Sequence, residues 1–120
     1  MGTITINQYI IEKCLNNINI KKYVDIHNIQ KVVSDYFNIK ISDMISKNKT
    51  KLIVRPRQLA ITFSKELTKY NLTEIGKYFG GRDHTTILHA LNTIKNFLHT
   101  NTKIQNDYHN IYKKLIVYSK

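Results

Sequence analysis

Cysteine is nearly absent. Cys14 stands alone, so no internal disulfide can form and a reducing compartment is expected. Proline occurs once, at Pro56, and three of the four glycines are Gly76, Gly80 and Gly81. No apolar run approaches the roughly 20 residues that cross a bilayer. The opening "MGTITINQYIIEKCL" has no basic leader ahead of an apolar stretch, so no secretory signal is expected. Acid is scarce: 8 Asp and Glu face 19 Lys and Arg, a formal +11 on 120 residues. A field that large on a chain of one-domain length calls for an anionic partner. Nucleic acid is the first candidate and an acidic phospholipid surface the second. A chain of this size buries somewhat over 60% of its unfolded surface, enough for a core without staples.

The patterns of catalysis are missing too. His84 and His89 are five apart and no H-E-x-x-H occurs. The carboxylates are scattered, which argues against a paired acid and base. Cys14 lies on an apolar stripe and reads as core. Nothing matches G-x-x-x-x-G-K-[ST], the loop that cradles nucleotide phosphates. The expectation is a chain that is no enzyme, with no metal and no cofactor.

What is present is lysine, isoleucine and asparagine: 16 Lys against 3 Arg, with 19 Ile and 13 Asn. Their codons are A/T-rich, which implies an A/T-rich genome that replaces arginine wherever lysine serves. The arginines that remain are Arg55, Arg57 and Arg82. Their planar fork donates in ways an ammonium cannot, so each is expected to do work needing that fork. A structural ion pair is the plainer alternative for any one of them.

Periodicity favours helices throughout. Ile10, Ile11, Cys14, Leu15 and Ile18 make a stripe over 7–19, with Asn7 as a cap. Ile26, Ile29, Val32, Val33, Tyr36 and Phe37 make another after Asp25. A short turn follows at 42–46. "KNKTKLIVRPRQ", residues 47–58, holds five basic residues and no acid, and reads as a basic loop. Pro56 suits the first turn of the next helix, which is expected to reach Tyr70 with Leu59, Ala60, Phe63 and Leu67 inward. Thr73 is expected to cap a short helix that buries Ile75 and Phe79, and Gly80 and Gly81 to end it. A longer helix with Ile87, Leu88, Leu91, Ile94 and Leu98 comes next. The last spans 103–117 and buries Ile104, Tyr108, Ile111, Leu115 and Ile116. "TITI" at 3–6 makes no sheet alone, so the class is all-α.

A short helix, a glycine turn and a longer helix with a polar start describe a helix-turn-helix. In that motif the second helix enters the major groove and its first residues face base edges. Asp83, His84, Thr85 and Thr86 occupy those positions. A carboxylate accepts from cytosine N4, and threonine hydrogen-bonds or meets a thymine methyl. The plainer alternative for Asp83 is an N-cap, and capping and reading coexist. The basic loop, with Lys47, Lys49 and Lys51 alternating ahead of Arg55 and Arg57, offers a second surface for phosphates or a minor groove. Arg57, Lys65 and Lys69 are spaced to share an outer helix face.

"GGRDHTTILHA" at 80–90 closely resembles the signature of the DnaA family of bacterial chromosomal replication initiators. "RPRQLA" at 55–60 and "LTEIGKYF" at 72–79 are similar to neighbouring blocks of that family. "IHNIQKVVSDYFNIKISDMISK" at 26–47 looks like the opening of its C-terminal DNA-binding domain. The resemblance implies a small helical domain with a Trp-repressor-like helix-turn-helix over 25–120, preceded by a connecting helix over 1–24. It implies binding of a duplex element, the DnaA box, in a cytoplasmic, nucleoid-associated protein, expected to be a monomer in isolation. Carried over by motif, base contacts fall on Asp83, His84 and Thr85, on Thr73 where many members have proline, and on Lys49 where members place a minor-groove arginine. Backbone contacts fall on Lys47, Lys51, Arg57, Gln58, Lys65, Arg82 and Thr86. Without an ATPase module the chain is expected to be either the C-terminal part of a longer initiator or a free-standing regulator or competitor for the same sites.

Overall fold

A computed structural model describes residues 24–118. The N-terminal stripe at 7–19, with Asn7 and Cys14, and the segment "TITI" lie outside the described residues. Among the described residues all regular structure is helical: α1 (Ile26–Phe37), α2 (Ile41–Met44), α3 (Lys51–Leu67), α4 (Leu72–Tyr78), α5 (His84–Thr100) and α6 (Thr102–Tyr118). The all-α expectation holds.

α3 is the centre. It packs on α1, α2, α4 and α5, while α6 closes over α1 and α5. Contacts on so many sides explain why α3 buries eleven of its residues, Arg57, Gln58, Thr62 and Ser64 among them. Its buried hydroxyls are satisfied inside the helix: Thr62 donates to the Gln58 carbonyl (2.9 Å) and Ser64 to that of Ala60 (2.8 Å). Phe63 stacks on Tyr108 of α6, with centroids 4.7 Å apart, and the Tyr108 hydroxyl donates to Glu66. Ile87, Ile94 and Leu98 of α5 and Ile104, Ile111 and Leu115 of α6 complete the core. Tyr112, absent from the expected stripe, is buried with them.

α1 is held at both ends of its inner face. Gln30 donates to the Tyr78 carbonyl at the end of α4 (2.8 Å). Tyr36 donates to Asp107 of α6 (2.8 Å), and Lys103 donates to the other oxygen of that carboxylate (3.2 Å). Burial pushes the Tyr36 hydroxyl above its ordinary pKa, against a smaller lowering by Asn110. Asn38 ends α1 in the left-handed region at φ 56°, a conformation asparagine tolerates better than most residues.

Four local expectations are corrected. The basic loop is shorter than 47–58, because α3 already starts at Lys51, and Pro56 is its sixth residue. Ile53 is buried and opens the inner stripe before the proline. One helical bond is lost there, to the carbonyl of Leu52, a residue that is 81% exposed. α3 ends at Leu67 instead of Tyr70, and Tyr70 is half-buried. The cap of α4 is Asn71 and not Thr73: Asn71 Oδ1 accepts from the Glu74 N–H (2.8 Å) and Glu74 Oε1 accepts from the Asn71 N–H (3.0 Å). That reciprocal pair is a capping box. Leu88, expected inward, is 45% exposed. At 3.6 residues per turn it lies one turn beyond His84, on the outer face.

Candidate nucleic-acid interface

The turn between α4 and α5 winds around a single carbonyl. Gly76 O accepts from the N–H groups of Phe79 (3.1 Å), Gly81 (3.0 Å) and Arg82 (3.0 Å). A Cβ at Gly76 would lie 1.9 Å from the Arg82 carbonyl oxygen, so only glycine lets the turn close this tightly. Gly80 has φ +81° and its Cβ position would fall 2.3 Å from the Ile45 carbonyl. The turn therefore touches the segment between α2 and α3, where the chain runs through Ser46, Lys47, Asn48 and Lys49.

α5 begins directly after this turn. Asp83 is its N-cap, its Oδ1 accepting from the Thr86 N–H (2.9 Å). The Thr86 backbone N–H, then the Thr86 hydroxyl, hold the Asp83 carboxyl below its ordinary pKa. Asp83, His84, Thr85 and Thr86 are all exposed. Among the described residues none covers them, and the N–H groups of the helix start lie at the same end. Leu88 and His89 continue the exposed surface one turn on.

The basic segment lies beside this helix start. Lys47, Lys49 and Lys51 are exposed, as is Lys65 on α3 and Thr73 on α4. Asn48 accepts from the Thr50 N–H (2.8 Å) and Ser46 accepts from the Asn48 N–H (3.1 Å), so short side chains organise the loop locally. The arginines behave differently from the lysines. Arg57 is only 6% exposed. Its Nε donates to the Met44 carbonyl (2.6 Å), and its Nη2 to those of Ser46 (3.0 Å) and Asn48 (2.9 Å). Arg82 is half-buried and donates to the Ser46 carbonyl (2.7 Å) and to that of Phe79. Arg55 lies over the Phe97 ring, 4.3 Å from its centroid, and donates to Gln58. Burial pushes the guanidinium pKa of all three down, and at Arg57 the Arg82 charge adds to it.

Each arginine thus uses its fork, but on the protein's own carbonyls, amide and aromatic ring. The expected outer face of Arg57, Lys65 and Lys69 does not form, because Arg57 turns inward while the two lysines stay outside. Gln58 is buried beside it. Two features of the site differ in how far the sequence marks them. The Asn71 cap was legible in Asn-x-x-Glu spacing. The role of the Ser46 carbonyl was not, since no side-chain pattern marks a main-chain acceptor.

A glycine-turned helix pair whose second helix opens on uncovered polar groups, flanked by a lysine loop, is a helix-turn-helix of the DNA-binding class. The family defined as the bacterial dnaA protein helix-turn-helix matches residues 26–94, more than half of the chain. The chain belongs to that family, the DNA-binding domain of bacterial replication initiation, and double-stranded DNA is its partner. The match runs from the first residue of α1 into the third turn of α5, so it spans the loop, the turn and the helix start described above.

Proposed function

We propose that the chain recognises DnaA-box elements in duplex DNA at a replication origin, with the start of α5 in the major groove and the 45–50 loop against the minor groove and phosphates. One observation carries the reading: the four exposed residues Asp83–Thr86 begin where Arg82 is bonded to Ser46, the neighbour of Lys47. Base-reading side chains and cations thereby form one continuous surface. His84 and Thr85 take base edges, and the Asp83 carboxylate accepts from cytosine N4. The Thr73 methyl meets a thymine methyl. Lys49 enters the minor groove as a hydrated point charge rather than a fork. Lys47, Lys51, Lys65 and Thr86 hold phosphates. Arg57, Gln58 and Arg82, inward-turned or tied to carbonyls, support the surface from behind.

The test compares a box-bearing duplex with a scrambled duplex at fixed salt. The expected outcome is clear preference for the box, reduced by about 1–3 kcal/mol in His84→Ala or Thr85→Ala. Equal affinity for the two duplexes removes direct readout. Equal binding to anionic vesicles of the same charge density would transfer the surface to lipid headgroups.

A further inference from the structure

We propose that Arg57 and Arg82 are positioning residues that lock the lysine loop onto the helix-turn-helix turn, so that base reading by α5 and cation contact by the loop act as one unit. Two guanidinium groups converge on one acceptor, the Ser46 carbonyl, at 3.0 Å and 2.7 Å. They arrive from different elements: Arg57 from the second turn of α3, Arg82 from the residue before the α5 cap. Like charges at such proximity repel, and the Arg57 pKa is lowered partly for that reason. The arrangement holds because carbonyl dipoles surround both groups: Met44, Ser46 and Asn48 for Arg57, Ser46 and Phe79 for Arg82. Among the described residues no carboxylate is paired with either group.

A third, uncharged contact makes the same junction. Gly80 approaches the Ile45 carbonyl so closely that any Cβ would overlap it. The loop is therefore pinned at consecutive residues, Ile45 from the turn and Ser46 from both arginines, immediately before Lys47 and Lys49. Lysine cannot replace arginine here. An ammonium is a point donor and does not span two carbonyls in a fixed plane. This accounts for arginine persisting at these positions in a chain that otherwise uses lysine.

The inference about the loop stands on the free protein, whereas its consequence for recognition rests on the proposed function. The experiment has an arm for each. In the free protein, 15N relaxation of residues 46–50 is measured for wild type and Arg82→Lys, which keeps the charge. Wild-type order parameters are expected near about 0.85, falling toward about 0.6 in the variant, with the α5 and α6 amides unchanged. Unchanged loop values overturn the clamp. Loss of helical signal across the whole domain also overturns it, because Arg82 would then hold the fold rather than the loop. Arg57→Lys provides the same reading from the α3 side.

The second arm is a double-mutant cycle of Arg82→Lys with Lys49→Ala on the box duplex. Lys49→Ala is expected to weaken the wild type about tenfold more than it weakens the Arg82→Lys protein, a coupling of about 1.4 kcal/mol. Additive effects overturn the coupling. If wild type shows no box preference while the loop still loosens in the variant, the proposed function fails and the clamp survives.

Discussion

Asp83 is exposed, yet its carboxyl is held below the ordinary carboxylate pKa by the Thr86 N–H and hydroxyl. A carboxyl lowered in the folded state contributes stability above its unfolded value, about 3.9 for aspartate. That contribution is lost as pH falls through the lower folded value. Asp83→Asn keeps a capping oxygen but has no proton to gain. Thermal unfolding followed from pH 5 down to about 2 should therefore show a steeper loss for wild type than for Asp83→Asn. Parallel curves would mean that the hydrogen bonds to Asp83 do not favour its charged form. The same residue scale separates arginine from lysine. The three arginines bury their forks against carbonyls, Gln58 and Phe97, while Lys47, Lys49, Lys51 and Lys65 keep their ends in water. Scarcity of arginine pointed to special work for these three. It did not reveal whether that work faced DNA or the protein.

Helices α4 and α5 are both capped by side chains, and the two caps were not equally legible. Asp83 stands one residue beyond the paired glycines, after Arg82, where a cap is expected, and it accepts from Thr86 as a cap does. For α4 the sequence offers two candidates, Thr73 and Asn71, and Asn71 and Glu74 have capping-box spacing. The structure settles the choice through both bonds of the box. Asn71→Ala should lower domain stability by about 1 kcal/mol, whereas Thr73→Ala should leave it within about 0.5 kcal/mol. Chemical denaturation of the two variants checks this, and a larger loss in Thr73→Ala would reverse the assignment. For α3 the difficulty was of another kind. Five basic residues and a proline made its first turn look like loop. Pro56 removes one helical bond, yet α3 extends ahead of it with Ile53 buried on its inner face and Leu52 exposed.

Over the whole molecule, +11 charges on 120 residues set a long-range field that any polyanion feels. Lysines on its surface supply that field, and those near α5 turn it into phosphate contacts under the proposed function. Lys51→Ala should weaken box and scrambled duplexes alike and reduce the slope of log K against log salt by about 1. Binding measured at three or more salt concentrations checks it, and an effect confined to the box duplex would place Lys51 among the base readers instead. Near-complete helicity, the inner stripes of α1, α5 and α6, the glycine turn and the polar start of α5 were all determined by the sequence itself. They depend on neighbours within a turn or two, and helical spacing exposes such neighbours directly. The inward course of Arg57 and the double hold on Ser46 were decided only by tertiary structure. Each depends on what a distant segment brings alongside: Arg82 and Ser46 are 36 residues apart. A main-chain carbonyl carries no sequence signature, so the partner that turns a guanidinium away from solvent becomes visible only when the chain has folded around it.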